Sequence, residues 1–261
     1  MRSNAEVVRR EDKLRRLLAR GKSDVMRIID AVDVGWTGVQ AEATKLLRIH
    51  VGDKILDACC GYGHFAIELA WRYPRAFIVG LNLDFDELFA ANRIAKLAGV
   101  ASHVVFVEGD VTKMRFPSNS FDAAVTFLGL QDVVISRGST GPRRAVAEMT
   151  RITRPGGKVM LLDTFGLNRL RKLVSLPSLR LIEQTTFRTD IRWNREVAEK
   201  WARLSAQGFV HVATMRSHPV NRRTLGKTVH EREMSRVERQ IAARGWFSPA
   251  EEINAVVCRK Q

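Results

Sequence analysis

The sequence predicts a doubly wound α/β fold with a mostly parallel sheet. Two observations carry that expectation. Short runs rich in branched apolar residues alternate five times with stretches of helical periodicity. Strands that alternate with helices of that length build parallel sheets. The first run, Lys54-Ile-Leu-Asp57-Ala58, ends beside an acid and opens into a small-residue turn, Cys59-Cys60-Gly61-Tyr62-Gly63. An apolar helical stretch follows at once from His64-Phe65-Ala66. A strand, a tight turn and a helix in this order bring backbone N–H groups and a helix N-terminus against a nucleotide-like ligand.

The elements follow from the chain in order. Residues 5–20 read as a basic amphipathic helix with Val7, Val8, Leu14, Leu17 and Leu18 on one face, and Ser23 is placed to cap a second short helix. Arg20-Gly-Lys-Ser23 resembles the end of a phosphate-binding loop, but Arg16 stands where its first glycine belongs, so that reading fails. A loop through Trp36 leads into a helix from about Gln40 to Arg48. Strands are expected near 54–58, 76–81, 103–108, 122–128 and 157–163, with helices near 63–73, 85–98 and 142–152. Asp84 followed by Glu87 has the spacing of a helix capping box. Beyond the fifth strand, 167–194 is irregular and basic. A helix is expected over 195–206, a strand over Gly208-Phe-Val-His211-Val-Ala-Thr214, a charged helix over about 229–243, and a last strand over 253–258. The ligand crevice of such a sheet lies at the carboxyl ends of its strands.

Composition narrows the class. At 261 residues the chain can bury a full core as one α/β domain with attached elements. No run approaches the roughly 20 apolar residues of a membrane helix. The start, Met-Arg-Ser-Asn-Ala-Glu, lacks an apolar signal region, and three cysteines form neither a disulfide framework nor a zinc spacing. A cytoplasmic setting and no metal are the expectations. The net charge of +15 is unevenly placed. Residues 28–165 hold 15 Lys and Arg against 15 Asp and Glu, whereas residues 1–27 hold 9 against 4 and residues 166–261 hold 19 against 9. Basic flanks of this kind point to an anionic partner, whether RNA, phospholipid or a phosphorylated metabolite, or to nothing more than an arginine-rich surface.

Gly61, Gly63 and Ala66 also fit a dinucleotide fingerprint, but Asn82 stands where that site wants a ribose-binding acid. Further along come Glu108-Gly-Asp110-Val111, then Phe116-Pro-Ser-Asn-Ser-Phe121-Asp122, then Arg154-Pro-Gly-Gly157. With Asp57 and the glycine turn, these residues resemble the class I S-adenosylmethionine-dependent methyltransferases, in particular the ubiquinone and menaquinone biosynthesis branch. The likeness covers roughly residues 38 to 165. It implies a seven-stranded sheet with an antiparallel terminal strand, helical cap elements and S-adenosylmethionine as cofactor. The implied organisation is a basic N-terminal arm over 1–37, a cofactor-binding core over 38–165, and sheet completion over 166–261. Cap insertions are expected near 166–193 and 216–249.

The resemblance also implies roles. Asp57, Ala58, Cys59, Gly61 and Gly63 form the turn that receives the methionine part of the cofactor. Cys59 replaces the family's first glycine, which the turn tolerates if its φ is negative. Asn82 and Leu83 face the ribose; where the family has an acid, Asn82 loses the charge-assisted bond. Asp110 and Val111 meet the adenine, Phe127 and Leu128 line the methyl-donor side, and Trp36 and Gln40 close from the N-terminal side. His211, His64 and Asp132 are the candidate bases, needed only if the acceptor must lose a proton. The leading expectation is methyl transfer to a small-molecule or lipid-like acceptor. The alternatives are RNA methylation through the basic flanks and cofactor binding without catalysis. Thr126-Phe-Leu-Gly-Leu-Gln131-Asp132 lacks the motif of the family's exocyclic-amine nucleic-acid methylases.

Overall fold

The computed structural model describes residues 38–189, 191–215 and 221–261. The helices expected over 5–20 and from Ser23, the arm over 1–37 and Trp36 lie outside the described residues. Helix α1 occupies 38–47, and its last carbonyls accept from Lys158 Nζ, at 2.6 Å for Leu47. There follow β1 (Lys54–Ala58), α2 (His64–Arg72), β2 (Phe77–Asn82), α3 (Phe85–Leu97), β3 (Val104–Glu108) and β4 (Phe121–Phe127). Helices α4 (Leu130–Arg137) and α5 (Gly141–Ile152) lead to β5 (Thr153–Asp163), α6 (Leu167–Val174) and β6 (Leu179–Arg188). Two long helices, α7 (Arg195–Thr214) and α8 (Arg222–Arg244), precede β7 (Glu252–Lys260).

The seven strands form one sheet in the order β3-β2-β1-β4-β5-β7-β6. Strands β1 to β5 run parallel, and β7 is antiparallel to both neighbours. Chain order reverses between β1 and β4, the point at which a doubly wound sheet opens a crevice. Register brings the strand ends level there: Ala58 lies beside Leu81, and Asn82 beside Glu108. One layer of core packs α1 and α2 against the sheet through Leu47, Phe65, Leu69, Ile55 and Ile78. The other packs α5 and α6 through Val146, Met149, Ile152 and Leu170. Full burial of each such side chain contributes about 1.5–3 kcal/mol.

Two expectations about the C-terminal third are corrected. The run 208–214 is not a strand but the end of α7. Its valines look strand-like, yet Ala198, Ala202, Ala206 and Ala213 are all buried at helical spacing, so the period of 3.6 runs straight through Gly208. Asn194 caps the helix by accepting from the Val197 N–H at 3.0 Å. The segment 166–193 is likewise no cap insertion, because it holds α6 and the edge strand β6. Edge strands cover only one face and carry charge, so Arg180, Glu183 and Arg188 hide the alternation that a central strand would display. Helices α7 and α8 instead form a hairpin with a small core of its own, in which Trp193 and Trp201 pack on buried Phe247.

Candidate active site

The turn after β1 is built from conformations that most residues avoid. Gly61 and Gly63 have φ of 51° and 76°, and Cys59, against the expectation of a negative angle, has φ of 63°. A left-handed cysteine costs on the order of 1–3 kcal/mol. The fold accommodates its side chain with a glycine opposite: a Cβ on Gly129 would lie 2.4 Å from the Cys59 Cβ. Gly63 is needed for space as well as φ, since a Cβ there would meet the Phe106 ring at 2.5 Å. Both turn thiols are held above their usual range, by burial first and then by nearby carboxylates. That direction disfavours the thiolate form at both positions.

Beneath this turn Asp57 is buried at the end of β1, 1% exposed, and its carboxyl oxygens have no well-aligned hydrogen-bond partner. Burial pushes its pKa up to about 8, only partly offset by the Ala66 N–H. A buried carboxyl left without a partner is a place where a cationic group can be received.

An open crevice lies at the carboxyl ends of β1, β2 and β3. It brings together Cys59, Gly61, Asn82, Leu83, Asp110, Val111 and Asp132 from the expected set. It adds residues that sequence reasoning left out, chiefly Glu87, Arg137, Val212 and Met215. Asp57, Ala58, Gly63, Phe127, Leu128, His64 and Gln40 do not line it. Gln40 is buried in α1, His64 opens α2, and Phe127 stacks on Phe65 with ring centroids 5.1 Å apart. Leu128 holds a left-handed turn whose N–H donates to the Leu162 carbonyl at 2.8 Å.

Polar contacts order the crevice wall. Asn82 Nδ2 donates to Glu87 Oε2 at 2.6 Å, and burial raises the Glu87 pKa to about 7. Asp84 caps α3, accepting from the Asp86 and Glu87 N–H groups at 2.8 and 3.2 Å. The capping box is therefore only half made, and the Glu87 side chain is turned toward Asn82 and the crevice. Asp110 Oδ1 accepts from the Thr112 N–H and hydroxyl, and Asp110 Oδ2 accepts from Arg137 Nε at 2.8 Å. Burial opposes ionisation of Asp110, but Thr112 and Arg137 hold its carboxyl below the usual range. Arg137 also donates to the Met215 carbonyl at 3.1 Å, and His211 pairs with Asp84. These two ties lay the end of α7 along the crevice. Asp132 is surrounded by the crevice walls yet reached by solvent. Desolvation by those walls, and then the Asp163 charge, push its carboxyl up to about 6.

Residues 55–157 match the family described as methyltransferase domain. Over those residues the core of this chain is similar to methyltransferase domains. The chain is 35% identical over 112 residues to the ubiquinone/menaquinone biosynthesis C-methyltransferase of Bdellovibrio bacteriovorus, covering 43% of this chain and 44% of that protein. It is 33% identical over 159 residues to the demethylmenaquinone methyltransferase of Deinococcus radiodurans, covering 61% and 57%. The match thus spans about half the length of these curated relatives. A methyltransferase-like crystal structure from Bacillus halodurans superposes with a TM-score of 0.60 at 17% identity, over 85% of this chain and 99% of that one. That likeness establishes the shared fold.

Proposed function

We propose that this chain is an S-adenosylmethionine-dependent methyltransferase acting on a small, lipid-like acceptor of the quinone type. The observation that carries the reading is an acidic crevice at the switch point of a basic chain. Asp84, Glu87, Asp110 and Asp132 line it, with buried Asp57 beneath the turn and Arg137 already paired with Asp110. Such a wall suits a ligand that carries positive charge. The residues fit the cofactor: Asp57 is a buried carboxyl with no well-aligned partner, able to receive an ammonium, and Gly61 puts no side chain between the turn and the crevice. Asp110 Oδ2 keeps a lone pair for an exocyclic amine, and Val111 offers an apolar contact. When bound, S-adenosylmethionine supplies a methyl group already activated on its sulfonium.

The protein's own task is to align and to exclude water. Orientation of this kind can supply about 7–11 kcal/mol. Of the three candidate bases, neither His211 nor His64 lines the crevice, which leaves Asp132 to accept a proton from a hydroxylated acceptor. The quinone-type acceptor is supported by the names of the relatives and by Val212 and Met215, apolar residues that α7 lays along the crevice. An anionic or nucleic-acid partner gains no such support. Arg232, Arg236 and Arg244 of the basic hairpin are engaged internally, on Glu233, the Pro249 carbonyl and Glu251, and on aromatic rings.

The test is transfer of labelled methyl from S-adenosylmethionine into a panel of hydroxylated quinols with short prenyl tails, with bulk RNA alongside. Product in the quinol arm alone is expected. Product in RNA, or in neither arm with cofactor binding intact, contradicts the acceptor class.

A further inference from the structure

The strand-end position that should present an acid to a nucleoside ribose holds Asn82, and an asparagine cannot offer a charged acceptor. The structure brings a carboxylate to the same place from another element. Glu87 sits in the first turn of α3, three residues past the Asp84 cap, and its Oε2 accepts from Asn82 Nδ2 at 2.6 Å. The same oxygen lies 3.7 Å from where a Cβ on Gly61 would stand, so the carboxylate reaches over the glycine turn. Gly61, Asn82, Leu83 and Glu87 all line the crevice wall. Glu87 Oε1 has no hydrogen-bond partner among the described residues, and it belongs to a half-buried group. Asn82 therefore fixes one oxygen and leaves the other for a ligand.

We propose that Glu87 supplies the carboxylate that accepts from the vicinal ribose hydroxyls of the cofactor, with Asn82 as its positioning residue. This rests on the reading of the crevice as an S-adenosylmethionine site. A carboxylate suits a diol because it offers two oxygens on one rigid plane. Its bonds to hydroxyls are roughly twice as strong as those of a neutral amide. The substitution at strand end 82 is thus compensated by helix α3, and the pair Asn82–Glu87 acts as one relocated acid.

The experiment is a titration of wild type, Glu87→Gln and the double variant Asn82→Asp/Glu87→Gln. Each is titrated with S-adenosylhomocysteine and with its 2′,3′-dideoxy counterpart. Glu87→Gln is expected to weaken S-adenosylhomocysteine binding about tenfold and to leave the dideoxy ligand unchanged. The double variant, which returns an acid to the strand end, is expected to recover most of the loss. Equal weakening of both ligands, or of neither, in a variant that still unfolds cooperatively overturns the assignment of Glu87 while leaving the cofactor reading intact. Failure of the wild type to bind S-adenosylhomocysteine removes the cofactor reading and this assignment together.

Discussion

Asp57 is ordinary in sequence and unusual in place. Its pKa of about 8 means that the folded chain holds a proton that the unfolded chain has released from about pH 4 upward. The folded state binds more protons across that window, so this group makes stability fall as pH rises toward 8. A carboxyl set up in this way costs the folded state stability wherever the unfolded chain would ionise it. Between about pH 5 and pH 8, the unfolding midpoint of ligand-free wild type should therefore fall more steeply than that of Asp57→Asn, read by thermal melts in matched buffers. Parallel slopes would show that the carboxyl is solvated or paired. Cys59 carries a second lesson at this scale. Its smallness was legible in the sequence, but its left-handed φ of 63° was not, because the angle depends on Gly129 standing opposite, far along the chain.

At the scale of elements, the five parallel strands and their helices were legible because each is a complete local pattern. Branched apolar runs, a cap at Asp84 and glycine-rich turns sit side by side in the sequence. The hairpin and the edge strand were not, since α7 takes its identity from contact with α8, and β6 from pairing with β7. Glu87 was hidden for a related reason: its spacing from Asp84 satisfied a capping rule, and only the folded register shows Asn82 within reach. Two glycines separate local from tertiary demands. Gly63→Ala places a Cβ at positive φ against Phe106 and should cost about 1–3 kcal/mol. Gly208→Ala lies inside α7 with open space around it and should gain about 0.5–1 kcal/mol. Chemical denaturation of both variants checks the opposite signs, and a shared sign would contradict the packing described.

Across the whole molecule, charge and topology divide the labour. The sheet sets a crevice at its switch point and lines it with carboxylates, while the excess of basic residues lies in the flanking segments. Helix α7 joins the two, since its end is held along the crevice by His211 on Asp84 and by Arg137 on the Met215 carbonyl. No helix among the described residues is long and apolar enough to cross a membrane. The proposed activity requires the crevice to receive a sulfonium nucleoside or its product. Isothermal titration with S-adenosylhomocysteine, with NAD as control and Asp57→Asn as the paired variant, measures that directly. Micromolar binding to wild type, at least about tenfold weaker binding to the variant, and no heat from NAD are expected. No binding of S-adenosylhomocysteine to wild type, or equal binding of NAD, would contradict the proposed activity.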